Sequence, residues 1–198
     1  MKLLIPDREF DAYIFDCDGT LADTMPLHYR AWKRLAEEHG GAFPEALFYE
    51  LGGKPTDQIL QVLREDHGLD LGEVGAAGVR KEGYFLEMIG QVKPVGPVLE
   101  FARRWYGKKP LAVASGGSRV NVEKTLDAID CRRLFDAVVC VEDCARPKPF
   151  PDPFLEAARL LKKPANRCLV FEDSPVGLKA AEAAGMQWVW VPRTDYQG

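Results

Sequence analysis

Five short apolar runs constrain this chain more than anything else in it: Ala12–Phe15, Leu111–Ala114, Ala137–Val141, Cys168–Phe171 and Trp188–Val191. None alternates polar with apolar residues. That pattern belongs to strands covered on both faces, as in a parallel sheet flanked by helices. Helical patterns with clear punctuation lie between the later runs. Ser118 stands where it can cap a helix carrying Val122, Leu126 and Ile129. Asp152-Pro153 opens a second, predicted to turn Phe154, Leu155, Ala158 and Leu161 inward and Glu156, Arg159 and Lys162 outward. Ser174, Pro175 and Gly185 suit the N-cap, first turn and C-terminal stop of a third. Strand–helix alternation of this kind predicts an α/β fold around a parallel sheet.

One stretch breaks the alternation. Leu27, Ala31 and Leu35 form a helical stripe that ends at Gly40-Gly41, and Ile59, Leu60, Val62 and Leu63 form another that ends at Gly68. Val74 to Val92 reads as a third, weakened by Gly75, Gly78 and Gly83. We therefore expect an all-helical module over residues 23–93, inserted into an α/β core made of residues 1–22 and 94–198. His39 and His67 each precede a glycine at a helix end, where an imidazole interacts with the terminal carbonyls.

The 198 residues suffice for one full domain and a smaller one. A net charge of −4, with basic residues in scattered pairs such as Arg103-Arg104 and Lys162-Lys163, argues against a nucleic-acid binder. The apolar start Met1 to Ile5 is cut short by Pro6-Asp7-Arg8-Glu9, too soon for a signal peptide or a membrane span. Five cysteines without a Cys-x-x-Cys pair are expected to be reduced thiols. The expectation is a cytoplasmic monomer with no nucleic-acid or membrane partner.

In open parallel sheets, ligands bind at the carboxyl ends of the strands. Asp16-Cys17-Asp18-Gly19 follows the first run, Ser115-Gly116-Gly117 the second, Lys148 the third and Glu172-Asp173 the fourth. Side chains at i and i+2 of a strand share a face, so Asp16 and Asp18 can converge. Two like charges that close call for a cation or a shared proton. The set suits phosphoryl transfer, with Asp16 as nucleophile, Asp18 as general acid and base, and Glu172 and Asp173 holding Mg²⁺. Ser115 and the Gly116 amide would donate to the phosphoryl oxygens, and Lys148 would neutralise charge. Each element alone has an ordinary reading as a turn, a solvated lysine or a helix-start anion. Gly53-Lys54 is no P-loop, because the earlier glycine is missing and Pro55 follows the lysine. Four such coincidences in order favour the chemical reading.

On these motifs the chain resembles the haloacid dehalogenase-like hydrolase superfamily over essentially its whole length. Phe15 to Leu21 looks like its first motif, Ser115 its second, Lys148 its third and Glu172-Asp173 its fourth. The resemblance implies a Rossmann-like sheet in the order 5-4-1-2-3, with the insert as a small helical cap that closes over the substrate. It also implies the Asp18 carbonyl as a further magnesium ligand. Asp23-Thr24, His28, Ala31-Trp32-Lys33 and Leu51-Gly52-Gly53 are similar to the β-phosphoglucomutase group and its sugar-phosphate phosphatase relatives. That similarity nominates His28, Gly53, Lys54, Thr56, Gly116, Gly117 and Arg119 for substrate binding. Thr56 stands where the mutases carry a phosphate-gripping arginine, and Gly117 and Arg119 where they carry serine and asparagine. The expectation is thus a Mg²⁺-dependent phosphatase acting on small sugar or polyol phosphates, fructose 1-phosphate among them. The alternatives are a hexose-phosphate mutase and, with less support, a non-catalytic binding protein on the same fold.

Overall fold

A computed structural model of the chain describes residues 2–52, 54 and 56–192. In chain order the elements begin with β1 (Ala12–Phe15), β2 (Ala22–Asp23), α1 (Met25–Glu38), α2 (Glu45–Glu50), α3 (Thr56–His67) and α4 (Val74–Glu87). They continue with β3 (Lys93–Pro94), α5 (Gly96–Trp105), β4 (Leu111–Ala114), α6 (Arg119–Ala128) and β5 (Ala137–Val139). The last are α7 (Asp152–Leu160), β6 (Cys168–Glu172), α8 (Pro175–Ala183) and β7 (Gln187–Trp190). Two compact units result: Thr24–Gln91, and the chain on either side of it.

The larger unit holds a five-stranded parallel sheet in the order β5-β4-β1-β6-β7. Counting these five strands alone gives 3-2-1-4-5, the expected 5-4-1-2-3 read from the opposite edge. Two further strands, too short to leave a pattern in the sequence, pair antiparallel as β2 and β3 where the chain leaves and re-enters this unit.

Side-chain alternation along β1 explains why no polar residue interrupts it. Ala12 and Ile14 join Ala112, Ala114 and Val170 in a cluster with Phe154, Ala157, Ala180 and Ala181 of α7 and α8. Tyr13 and Phe15 face the other way, into an aromatic layer. Phe15 stacks on Phe171 at 4.7 Å, and Phe101 of α5 lies 4.7 Å from Phe171 and 4.9 Å from Tyr13. The inward stripe of α7 differs from expectation. Phe154, Ala157 and Ala158 are buried, but Leu155, one residue off that stripe, is 42% exposed. The third apolar run also yields a strand ending at Val139, because a short 3₁₀ turn, Val141–Asp143, follows.

The smaller unit is helical, and α1 packs mainly against α4. Trp32, Leu35, Phe43, Phe48, Leu63 and Phe85 are buried within it. His39 ends α1 with Nδ1 2.9 Å from the Leu35 carbonyl, and Gly40 takes φ +73°. α4 stops at Glu87, short of the predicted Val92. Its N-terminus is capped by the Glu73 carboxylate, which accepts the Gly75 and Ala76 amides at 2.9 and 2.7 Å.

Phe171 is wholly buried at the centre of the aromatic layer. Phe171→Ala should cost about 3–5 kcal/mol in urea unfolding, since the layer cannot collapse onto the lost ring. A loss below about 1 kcal/mol would mean that the sheet is not held by this layer.

Candidate active site

The first carboxylate is placed by the sheet. The Asp16 amide still donates to the Phe171 carbonyl at 3.0 Å, so its side chain leaves the carboxyl end of β1 in a fixed direction. The chain then turns sharply, with the Cys17 carbonyl accepting the Leu21 and Ala22 amides, each at 3.0 Å. Gly19 makes the turn at φ +85°, and a Cβ there would collide with the Asp173 carboxylate. Thr20 secures that same carboxylate, donating its hydroxyl to Asp173 Oδ1 at 3.2 Å.

β6 delivers Glu172 and Asp173 beside it. Glu172 Oε1 accepts the Asp173 amide at 3.2 Å, the Ser174 amide at 2.9 Å and the Ser174 hydroxyl at 2.7 Å. The Ser174 hydroxyl in turn accepts the Gly177 amide at 3.0 Å, capping α8. The other Glu172 oxygen accepts from Lys148 Nζ at 2.8 Å, and Lys148 also donates to Asp16 Oδ1 at 2.6 Å. One buried ammonium therefore joins the ends of two neighbouring strands. Asp18 turns to a different partner, its Oδ2 3.5 Å from Ser115 Oγ. That hydroxyl also accepts the Gly117 amide at 3.0 Å.

The electrostatics follow from burial. Loss of solvent, then the charge of Glu172, pushes the Asp16 carboxyl well above the usual carboxylate range, against the pull of Lys148. Burial alone would lower Lys148, but the charges of Asp16 and Glu172 and their hydrogen bonds outweigh it and hold the ammonium protonated. Asp16, Glu172 and Asp173 each offer an oxygen within 4.8 Å of the others. Three acidic side chains share a single ammonium there. A hard divalent cation fits that oxygen set.

Of the candidates from sequence, Asp16, Asp18, Ser115, Lys148, Glu172 and Asp173 are thus gathered at the carboxyl ends of the strands, with Gly116 and Gly117 in the adjoining loop. Arg119 begins α6, but its guanidinium is directed at Asp143 and Glu123. Lys54, exposed, and Thr56, at the start of α3, belong to the helical unit. Gly53 lies outside the described residues. His28 is no freely solvated histidine. It stacks on Phe85 at 4.0 Å, with Nδ1 3.0 Å from Lys81 Nζ. Lys81 itself went unnoticed in the sequence. It is 5% exposed, on a stripe with Ala77, Tyr84 and Phe85. A lysine at i+4 on an otherwise apolar stripe was the available signal.

A family model described as haloacid dehalogenase-like hydrolase matches residues 10–185. The chain belongs to the haloacid dehalogenase-like hydrolase family. Among curated members, the fructose-1-phosphate phosphatase YqaB of Escherichia coli is 35% identical over 92% of this chain and 96% of its own. A phosphorylated carbohydrates phosphatase of Thermotoga maritima is 30% identical over 91% and 84%. Among solved structures, CbbY of Rhodobacter sphaeroides in complex with phosphate superposes with a TM-score of 0.78 at 27% identity, covering 96% of this chain and 90% of that one. Within the haloacid dehalogenase-like hydrolases, this chain is a phosphoric monoester hydrolase. No helix among its described residues is long and apolar enough to cross a membrane.

A glycine at position 177 of this haloacid dehalogenase-like hydrolase sits against the Glu172 carboxylate, where a Cβ would overlap the carboxyl group. In an ordinary helix Gly→Ala gains about 1 kcal/mol of propensity. Here Gly177→Ala should instead lose about 1–3 kcal/mol in chemical denaturation, because the carboxylate that holds Lys148 must move. A stabilised variant would show that Glu172 is not wedged in this way.

Proposed function

We propose that this hydrolase is a Mg²⁺-dependent phosphatase for small sugar or polyol phosphates, working through an aspartyl-phosphate. The observation that carries the reading is the division of labour between the two aspartates. Asp16 is buried against Lys148 and Glu172, while Asp18, two residues on, reaches instead towards Ser115.

In this reading an Asp16 oxygen attacks phosphorus and the bond to the leaving alkoxide breaks. Protonated Asp18 gives that alkoxide its proton and the sugar departs as an alcohol. Asp18, now a carboxylate, takes a proton from water as that water attacks the aspartyl-phosphate. Phosphate leaves, and Asp16 and Asp18 return to their starting states. Lys148 holds Asp16 in place and offsets the gathering negative charge, while Ser115 and the Gly116 amide donate to phosphoryl oxygens. Asp16, Glu172, Asp173 and the Asp18 carbonyl would hold Mg²⁺, which supplies positive charge to the phosphoryl group when bound.

The sugar class rests on the two relatives named for sugar or carbohydrate phosphates. The helical unit offers polar groups of the matching kind. Among them His28, Lys54 and Thr56 are candidate substrate groups on the strength of the family resemblance, His28 lying 3.0 Å from Lys81 within that unit. A threonine at position 56 cannot make the bidentate phosphate grip that a mutase needs to turn over a bisphosphorylated intermediate. Hydrolysis is therefore preferred over isomerisation. Five free thiols, four of them buried, suit a reducing compartment, and on that ground we assign the enzyme to the cytoplasm.

Asp16→Asn should lower phosphate release from any substrate by more than about a hundredfold, about 2.7 kcal/mol of barrier, with the unfolding midpoint undiminished. Turnover within about tenfold of the parent would remove Asp16 as nucleophile.

A panel of sugar phosphates assayed for both free phosphate and isomerised product tests the substrate class and the reaction together. Phosphate release should dominate, stop in EDTA and return with added Mg²⁺. Faster formation of glucose 6-phosphate from glucose 1-phosphate than of free phosphate would replace the phosphatase by a mutase.

A further inference from the structure

The loop that carries Ser115 is tied down from outside the site. The Ser115 amide donates to the Val139 carbonyl at 3.0 Å, and the Val141 amide donates to the Gly117 carbonyl at 3.1 Å. The Glu142 carboxylate then accepts the Arg119 amide at 3.0 and 3.1 Å, serving the first turn of α6 from another segment. Arg119 completes the tie with its side chain. Its Nη2 donates to Asp143 Oδ2 and lies 3.5 Å from the Val138 carbonyl, and its Nη1 is 3.7 Å from Glu123. Asp143 is itself fixed, since the same oxygen accepts the Cys140 amide at 2.7 Å.

An arginine at the start of a helix next to a phosphate site invites a role in substrate binding, but this one is spent on carboxylates. We propose that Arg119 is a positioning residue. With Asp143 and Glu142 it latches the first turn of α6 to the segment after β5, and so fixes the Ser115 hydroxyl and the Gly116-Gly117 backbone against Asp18. The tolerance of that arrangement is small. A Cβ at Gly117 would already lie 3.2 Å from Val122, 3.3 Å from Ser115 Oγ and 3.5 Å from Asp18 Oδ2. A shift of the loop by even an ångström would misalign the donors offered to the phosphoryl oxygens. The latch is half exposed, so its hold should weaken with ionic strength.

This inference rests on the phosphatase reading only for its kinetic arm. Arg119→Met and Asp143→Asn are each compared with the parent on p-nitrophenyl phosphate with Mg²⁺, together with the double variant and a charge-swapped pair, Arg119→Asp with Asp143→Arg. Each single change should lower kcat about 10- to 100-fold with KM within about twofold. The double variant should be no worse than either alone, because both remove one interaction, and the swapped pair should recover part of the loss. In a Ser115→Ala background, Arg119→Met should add little. Amide hydrogen exchange read at Val141 and Gly117, without substrate, should speed up in both single variants.

A rise in KM with kcat unchanged would make Arg119 a substrate group and overturn the latch. So would additive losses, or unchanged exchange at Val141. Should Arg119→Met fail to fold, Asp143→Asn and the swapped pair decide by the same readings. If the parent hydrolyses no phosphate ester, the phosphatase reading fails, and the exchange measurement alone still upholds or overturns the latch.

Discussion

Lys148 is the tie on which the rest of the site depends. Its ammonium is almost wholly buried and binds carboxylates from β1 and β6, residues far apart in sequence, at 2.6 and 2.8 Å. Without it, Asp16 and Glu172 would stand buried side by side as like charges. Removing the ammonium and leaving buried acids uncompensated typically costs about 3–5 kcal/mol. The tie is also selective. By occupying one oxygen of each acid, it restricts where a cation or a phosphoryl group can approach. The same contact that lets the cluster exist in the folded chain thus orients it for chemistry.

That tie needs a rigid frame, and the sheet supplies it. β1 lies at the centre, paired with β4 on one side and β6 on the other, so Asp16, Ser115 and Glu172 leave three adjacent strands at their carboxyl ends. The aromatic layer of Phe15, Phe101 and Phe171 and the aliphatic cluster on the opposite face leave these strands little freedom to slide. Close packing extends to the site itself. At Gly19 and Gly177, backbone stands where any larger residue would press on Asp173 or Glu172.

Much of this was legible in the sequence because it follows from pattern. Apolar runs without alternation locate doubly covered strands, and the acids, the serine and the lysine stand near their carboxyl ends. What stayed hidden depends on contacts between distant residues. Arg119 and Asp143 are separated by an entire helix and strand, and nothing local marks them as partners. Lys81 carries the composition of a surface residue on a helix whose glycines blur its stripe, and only packing shows it to be buried. Leu155 was misassigned for the opposite reason: hydrophobicity was read as burial one position away from the true stripe. The β2–β3 pair, two residues on each side, is too short for any period to register.

That small ribbon has a consequence for how the chain can change. Ala22 pairs with Pro94 and Asp23 with Lys93, so the chain departs from the sheet-bearing unit and rejoins it at neighbouring points. Whatever lies between need only bring its two ends to the spacing of adjacent strands, about 5 Å. Segments of very different length or composition can meet that demand at little entropic cost. Substitution, growth or replacement between residues 24 and 91 can therefore leave intact the strand pairing that sets Asp16, Ser115 and Glu172 side by side.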